Sequence, residues 1–313
     1  MDMHIAESYF ADLLGPDWNR EMLDPYRNWI NQQPAPIAAC CRRLIGDEIA
    51  NSNLVNLPLL LGEPFGIVDQ AVLTELVLGN AFMLTFFLAS DQLFDVPKKA
   101  DRVTILAAMR LQAEMLERYD RVAPTQAACI WSRLVEDHVC GVLDEEIHHA
   151  RIRQGQAGLD LAAYKQVIMR KNRYGIAPVP LLAASTGKFA EGELLRRVFD
   201  QIAVEIEFDD DLKDWAEDLN EGRFTPVVQA LVQAAGCLEL AEVRTALVRS
   251  DSINSMLDEI DASLLEAARL LSEVDFPCGR LRGWILRHRE ANRRLRADIV
   301  QRLVCAALVA AGR

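Results

Sequence analysis

Between Glu205 and Glu221 the chain carries nine carboxylates (Glu205, Glu207, Asp209, Asp210, Asp211, Asp214, Glu217, Asp218 and Glu221) against one base, Lys213. These seventeen residues hold −8 of a net charge of −12. Leu195, Val198, Ile202 and Ile206 lead into the run at helical spacing, so the acids continue a helix. Asp210, Asp214 and Asp218 then fall at i, i+4 and i+8, stacked on one face with about 6 Å of rise per step. Stacked like charges cost about 0.2–0.5 kcal/mol per exposed pair, and more when buried unless cations neutralise them. Oxygen-only ligands on a rigid face suit Mg²⁺, above all when substrate phosphates complete the coordination. The bland alternative is a solvated acidic face leading into a loop.

Asp91 and Asp95, again at i and i+4, close the most apolar stretch of the chain, Leu76 to Ala89. Carboxylates at a helix C-terminus oppose the macrodipole, so a second function for them is worth seeking. Two pairs of carboxylates on two core helices could clamp divalent cations, the cations a diphosphate, and an aromatic wall an apolar tail.

The elements that must position these groups all read as helix. Convincing strand alternation is absent, and Pro and Gly separate long periodic runs. Helices are expected over 34–51, 66–91, 99–120, 125–153, 164–174, 194–219, 226–235, 239–274 with a break at Ser250, and 280–311. The stretch Asn51–Pro64 reads as a polar, proline-bearing separator. The expectation is an all-α fold, eight to eleven helices around one core, in a single domain over 1–313.

Composition narrows the functions. With 51% hydrophobic residues the chain can bury a sizeable core, and 34 Lys and Arg against 46 Asp and Glu leave no basic stripe for nucleic acid. Seven cysteines (Cys40, Cys41, Cys129, Cys140, Cys237, Cys278 and Cys305) show no metal-ligand or short-range pairing. They read as buried thiols in a reducing compartment. No basic segment followed by an apolar run opens the sequence, and the stretch from Leu76, interrupted by Gly79 and Asn80, reads as a buried helix. A cytoplasmic protein without a membrane span is expected. His148 and His149 in Glu145-Glu146-Ile147-His148-His149 read as a solvated helix face. A di-iron site would need a second Glu-x-x-His helix that the sequence lacks.

Asp210-Asp211-Leu212-Lys213-Asp214-Trp215, with Gly222-Arg223 after it, resembles the second aspartate-rich motif of trans-isoprenyl diphosphate synthases, in the class I isoprenoid synthase superfamily. Asp91-Gln92-Leu93-Phe94-Asp95 resembles the first motif, with Gln92 in place of its second acid. Tyr164 to Lys171 resembles the segment carrying a diphosphate-binding lysine. The resemblance spans roughly 82–226. It implies an isoprenoid-synthase-like bundle around a central apolar cavity and commonly a homodimer. Its metal ligands would be Asp91 and Asp95 on one side and Asp210, Asp211, Asp214 and Asp218 opposite. They would hold about three Mg²⁺ ions, with Mn²⁺ as a substitute. Asp91, Asp95, Asp210, Asp214 and Lys171 would carry catalysis, with Lys171, Arg173 and Arg223 on the phosphate oxygens. Phe86 and Phe87 would floor the cavity, with Phe82, Met83, Phe208 and Trp215 as further wall candidates, limiting the substrate to about 10–20 carbons.

The chain also departs from the elongating synthases. An early Gly-Gly-Lys stretch and the Gly-x-Pro-Thr string after the first motif are missing, and Glu207 stands where a glutamine is usual. The expectation is therefore a terpene synthase that ionises one allylic diphosphate, releases diphosphate and cyclises or rearranges the cation. The alternatives are a short-chain prenyl diphosphate synthase or other prenyltransferase, and a non-catalytic helical partner protein.

Overall fold

The computed structural model describes residues 18–45, 49, 52–95, 102–155, 160–249 and 252–311; the side chains of 18–21, 91, 93–95, 248–249, 252, 298–300 and 302–311 fall outside that description. Among the described residues there is no strand. The helices are α1 (Trp18–Gln32), α2 (Ala35–Ile45), α3 (Asn53–Phe65), α4 (Gln70–Asp95), α5 (Arg102–Val122), α6 (Ala127–Arg153), α7 (Leu161–Lys171), α8 (Pro178–Thr186), α9 (Phe189–Glu221), α10 (Pro226–Ala235), α11 (Leu240–Arg249), α12 (Ser252–Ser272) and α13 (Gly279–Ala311). A one-turn 3₁₀ segment, Arg173–Ile176, joins α7 to α8.

α4 lies at the centre, paired most extensively with α5 and flanked by α1 and α3. Gln70–Ser90 is long and apolar enough to cross a membrane, yet 61% of that window is buried inside the fold, as in a core helix. α9 packs mainly on α12, and α6 on α7. One large apolar cluster runs from Leu23 to Ile285. A smaller one gathers Trp215, Val227, Leu231 and Val243 where α9 meets α10 and α11.

The separator expected at Asn51–Pro64 is instead a helix, and the reason lies in another element. Leu54, Val55, Leu57 and Leu59–Leu61 make the segment apolar almost all round, so burial outweighs its prolines. Pro58 has no N–H for the carbonyl of Leu54. Asn80 of α4 supplies the missing donor, its Nδ2 standing 2.5 Å from Leu54 O. The Tyr119 hydroxyl of α5 donates to Asn80 Oδ1 at 2.7 Å. Gly79 leaves room for that ring, since a Cβ there would lie 2.3 Å from Tyr119 Cε1. The Gly-Asn interruption in the greasy helix thus repairs a proline and seats a tyrosine. Asn80→Leu, which orphans a buried carbonyl and a buried hydroxyl, is expected to lower unfolding free energy by about 2–4 kcal/mol in urea denaturation. A loss below about 0.5 kcal/mol would show that water replaces the amide.

Candidate active site

The acids of α9 separate into two sets. Glu205, Asp209, Asp211 and Asp218 are buried, whereas Asp210, Asp214, Glu217 and Glu221 are exposed. Two of the buried ones serve packing. Glu205 Oε2 lies 3.4 Å from Nδ1 of His288 on α13, and Asp209 takes an ion pair from Lys213 at 2.6 Å. His288, which stands alone in the sequence, therefore ties α13 to α9. Asp210 and Asp214 accept no hydrogen bond and form no ion pair among the described residues, so their oxygens stay available. Asp211 points inward with Oδ2 buried and without a hydrogen-bond partner. Burial, reinforced by the charge of Glu207, raises its carboxyl well above the usual range. Burial, with Asp214 and Glu221 adding to it against the pull of Arg223, pushes Asp218 up to about 6.

Lys171 ends α7 beside these acids. Its ammonium donates to Glu145 of α6 at 2.8 and 3.1 Å and to Glu207 of α9 at 2.5 Å. Burial opposes this charge, but attraction to Glu207 and Glu145 outweighs it and raises the amine above its ordinary value. The same contact holds Glu207 below the usual carboxylate range although burial alone would raise it. Asn172 donates to the other Glu207 oxygen at 3.1 Å, and the Tyr164 hydroxyl reaches Glu145 at 3.4 Å. α6 and α7 approach this closely because residue 141 is glycine; a Cβ there would lie 2.5 Å from the backbone nitrogen of Lys171. Glu145 gives no sign of this role in the sequence, since its partner is 26 residues away.

Phe87 is buried against aromatic rings from α6 and the 3₁₀ segment. Tyr174 stacks on it with ring centroids 3.6 Å apart, His138 meets it edge-on at 5.0 Å, and Trp131 lies at 5.9 Å. Phe86 touches both Phe87 and Trp131. His138 Nδ1–H donates to the Lys171 carbonyl at 2.7 Å, linking this floor to the end of α7. Burial lowers the His138 pKa, consistent with a neutral ring. Phe82 and Phe208 are fully buried; Phe82 packs on Tyr26 and Trp29, and Met83 Sδ lies 3.5 Å from the Tyr119 hydroxyl oxygen. Trp215 lies in the smaller cluster. Trp131, His138 and Tyr174 have no periodicity that marks them, and only the fold brings them to Phe87.

The two arginines differ in setting. Arg173 is bound by Asp137 at 2.9 Å and lies 3.7 Å from Asp200, on the wall of a different cavity. Arg223 is exposed, pairs with Glu221 at 2.5 Å and lies 3.9 Å from Asp218. Its loop is held by His149, whose Nδ1 accepts the Phe224 N–H at 3.1 Å. His149 is thus buried, not part of a solvated face, because the loop after α9 folds over it. Asp91 and Asp95 lie on the last turns of α4, and their side chains fall outside the described residues.

The donor set is compatible with a hard cation. No group of three His, Cys, Asp or Glu side chains among the described residues is arranged to hold a metal by itself. Mg²⁺ needs less, because one or two carboxylates with water and substrate phosphates satisfy it. Asp210 and Asp214 offer oxygens without a partner among the described residues for that, and the buried Asp211 Oδ2 behind them lacks a hydrogen-bond donor.

The all-α bundle, with acids closing α4 and α9, has an isoprenoid-synthase-like fold by its likeness to a solved structure. Among solved structures, a geranylgeranyl pyrophosphate synthetase from the archaeon Geoglobus acetivorans superposes with a TM-score of 0.63, covering 85% of this chain and 98% of its own at 17% identity. No family model and no curated protein matches the sequence.

Proposed function

We propose that the chain is a Mg²⁺-dependent prenyltransferase that ionises an allylic isoprenyl diphosphate and passes the cation to an acceptor. The observation that carries this reading is the placing of the partner-free Asp210 and Asp214 on α9 beside the contact of Lys171 with Glu207, which His138 joins to the Phe87–Tyr174 stack. The likeness to a synthetase of prenyl chains favours it over the cyclase expected from the sequence. Asp210 and Asp214 would hold the metal from α9, and Asp91 and Asp95 at the end of α4 would supply the further carboxylates. Bound there with diphosphate, Mg²⁺ supplies Lewis-acid stabilisation of the charge on the departing oxygens. Arg223, exposed beside these acids, is placed to orient phosphate oxygens, whereas Lys171 is committed to Glu145 and Glu207 and positions α6 and α7 against α9. Aromatic faces beside the apolar tail would favour cationic carbon. The second reading, a terpene synthase, draws on the missing Gly-Gly-Lys stretch, which leaves no evident site for a second diphosphate.

Incubation with farnesyl diphosphate and Mg²⁺, with and without isopentenyl diphosphate, separates the readings. A longer prenyl diphosphate formed only with the second substrate supports the transferase. Diphosphate release with a hydrocarbon or alcohol formed without it supports the cyclase. No diphosphate release in either case, with Mn²⁺ also tried, leaves a non-catalytic partner protein.

Phe87→Ala removes the ring stacked on Tyr174 and leaves space there. The expected result is acceptance or formation of a chain longer by about one five-carbon unit, read by chromatography of the products. An unchanged chain range would make Phe87 ordinary core.

A further inference from the structure

A cavity of about 610 Å³ opens between α6, the 3₁₀ segment, α8 and the start of α9. That lies within the span of about 300–1,000 Å³ occupied by small-molecule sites. Ile130, Leu134, Ile176, Val179 and Ala183 line its apolar base, and Phe189, 65% exposed, stands at its edge. Three guanidiniums, Arg133, Arg173 and Arg196, line it against the carboxylates of Asp137 and Glu193. Asp200 behind them brings the local balance to zero, in a molecule whose net charge is −12. Arg173 is taken by Asp137, and Arg196 by Glu193 and Asp200. Arg133 has no hydrogen bond or ion pair among the described residues, so its fork is uncommitted over an apolar hollow.

We propose that this cavity binds an anionic amphiphile, with about ten to fifteen carbons of hydrocarbon chain on the base and a carboxylate or phosphate head on Arg133. A planar guanidinium donates two parallel N–H bonds to the oxygens of either head group, and repels an ammonium head. The site is separate from the diphosphate chemistry proposed above and does not depend on it.

Titration calorimetry on the full chain, below micelle concentrations, uses dodecanoate and dodecyl phosphate as probes, with dodecanol and dodecylamine as comparators. At least one anion is expected to bind at one-to-one stoichiometry about tenfold more tightly than dodecanol. Arg133→Ala, at an exposed position where folding is not at stake, is expected to erase that advantage, and Arg133→Glu to turn the preference towards dodecylamine. Ala184→Trp is expected to weaken binding of every probe by filling the hollow. Excess pyrophosphate with Mg²⁺ is expected to leave the anion in place. Equal binding of amine and anion, indifference to both Arg133 variants, or displacement by pyrophosphate would each overturn the assignment.

Discussion

Lys171→Met is expected to lower the unfolding free energy by about 3–5 kcal/mol at neutral pH. The ammonium sits between Glu145 and Glu207, and nothing else in the described structure neutralises both. Removing it leaves two largely buried carboxylates facing each other, with Asp211 adjacent. Breaking a buried pair costs far more than the pair contributes against an apolar isostere. Lys171→Met combined with Glu145→Gln and Glu207→Gln is therefore expected to recover most of the loss. The pH dependence has a definite sign. In the native protein Glu207 is held below its ordinary value, so its stabilisation is present above that value and disappears as pH falls through the folded pKa. In Lys171→Met the crowded carboxylates take up protons more readily than in the unfolded chain. The gap between variant and native protein is thus widest near pH 7 and narrows on acidification. Urea denaturation at pH 7 and pH 5 measures both. A loss under about 1 kcal/mol, or a gap that widens in acid, would mean that solvent reaches the cluster and the charges are not paired as the distances indicate.

Much of this arrangement is legible in the sequence where one element decides it. The apolar approach to Asp210 and the greasy run before Asp91 mark α9 and α4 because helical period and burial are local patterns. The all-α architecture follows from the same patterns. α3 escapes because its prolines are tolerated only through Asn80, a residue of another helix. The Lys171 segment is marked by resemblance, but its partner Glu145 belongs to a pairing 26 residues away and the substitution at Glu207 does not announce a salt bridge. The i, i+4, i+8 row of aspartates illustrates a further limit. Spacing puts Asp210, Asp214 and Asp218 on one face, yet neighbouring helices cover Asp218 and leave the other two open, while Asp211 outside the row turns inward. Arg173 is the converse case. Its position after Lys171 invites a phosphate, and only the fold shows Asp137 and Asp200 around it. Charge type is local information, and charge partner is tertiary information.

That division of the aspartates leads to Asp210→Asn, which is expected to reduce turnover by about 10²–10³. The substitution keeps the shape and removes one anionic oxygen from a position where the carboxylate has no hydrogen bond or ion pair among the described residues. Stability should stay within about 0.5 kcal/mol, because the residue is exposed. The Mg²⁺ concentration for half-maximal diphosphate release should rise, since an amide oxygen is a poorer ligand for a hard cation than a carboxylate. Asp211→Asn, its neighbour in sequence, is expected to differ. Asp211 is already driven towards its neutral form by burial and by Glu207, so an amide in its place relieves crowding of charge and leaves stability equal or slightly raised. Thermal unfolding with and without Mg²⁺ and pyrophosphate reads both variants independently of any product. Protection by the pair should be strong in the native protein and weak in Asp210→Asn. Full activity and full protection in Asp210→Asn would remove the exposed face of α9 from the chemistry, and the metal would then have to be sought at the inward carboxylates behind it.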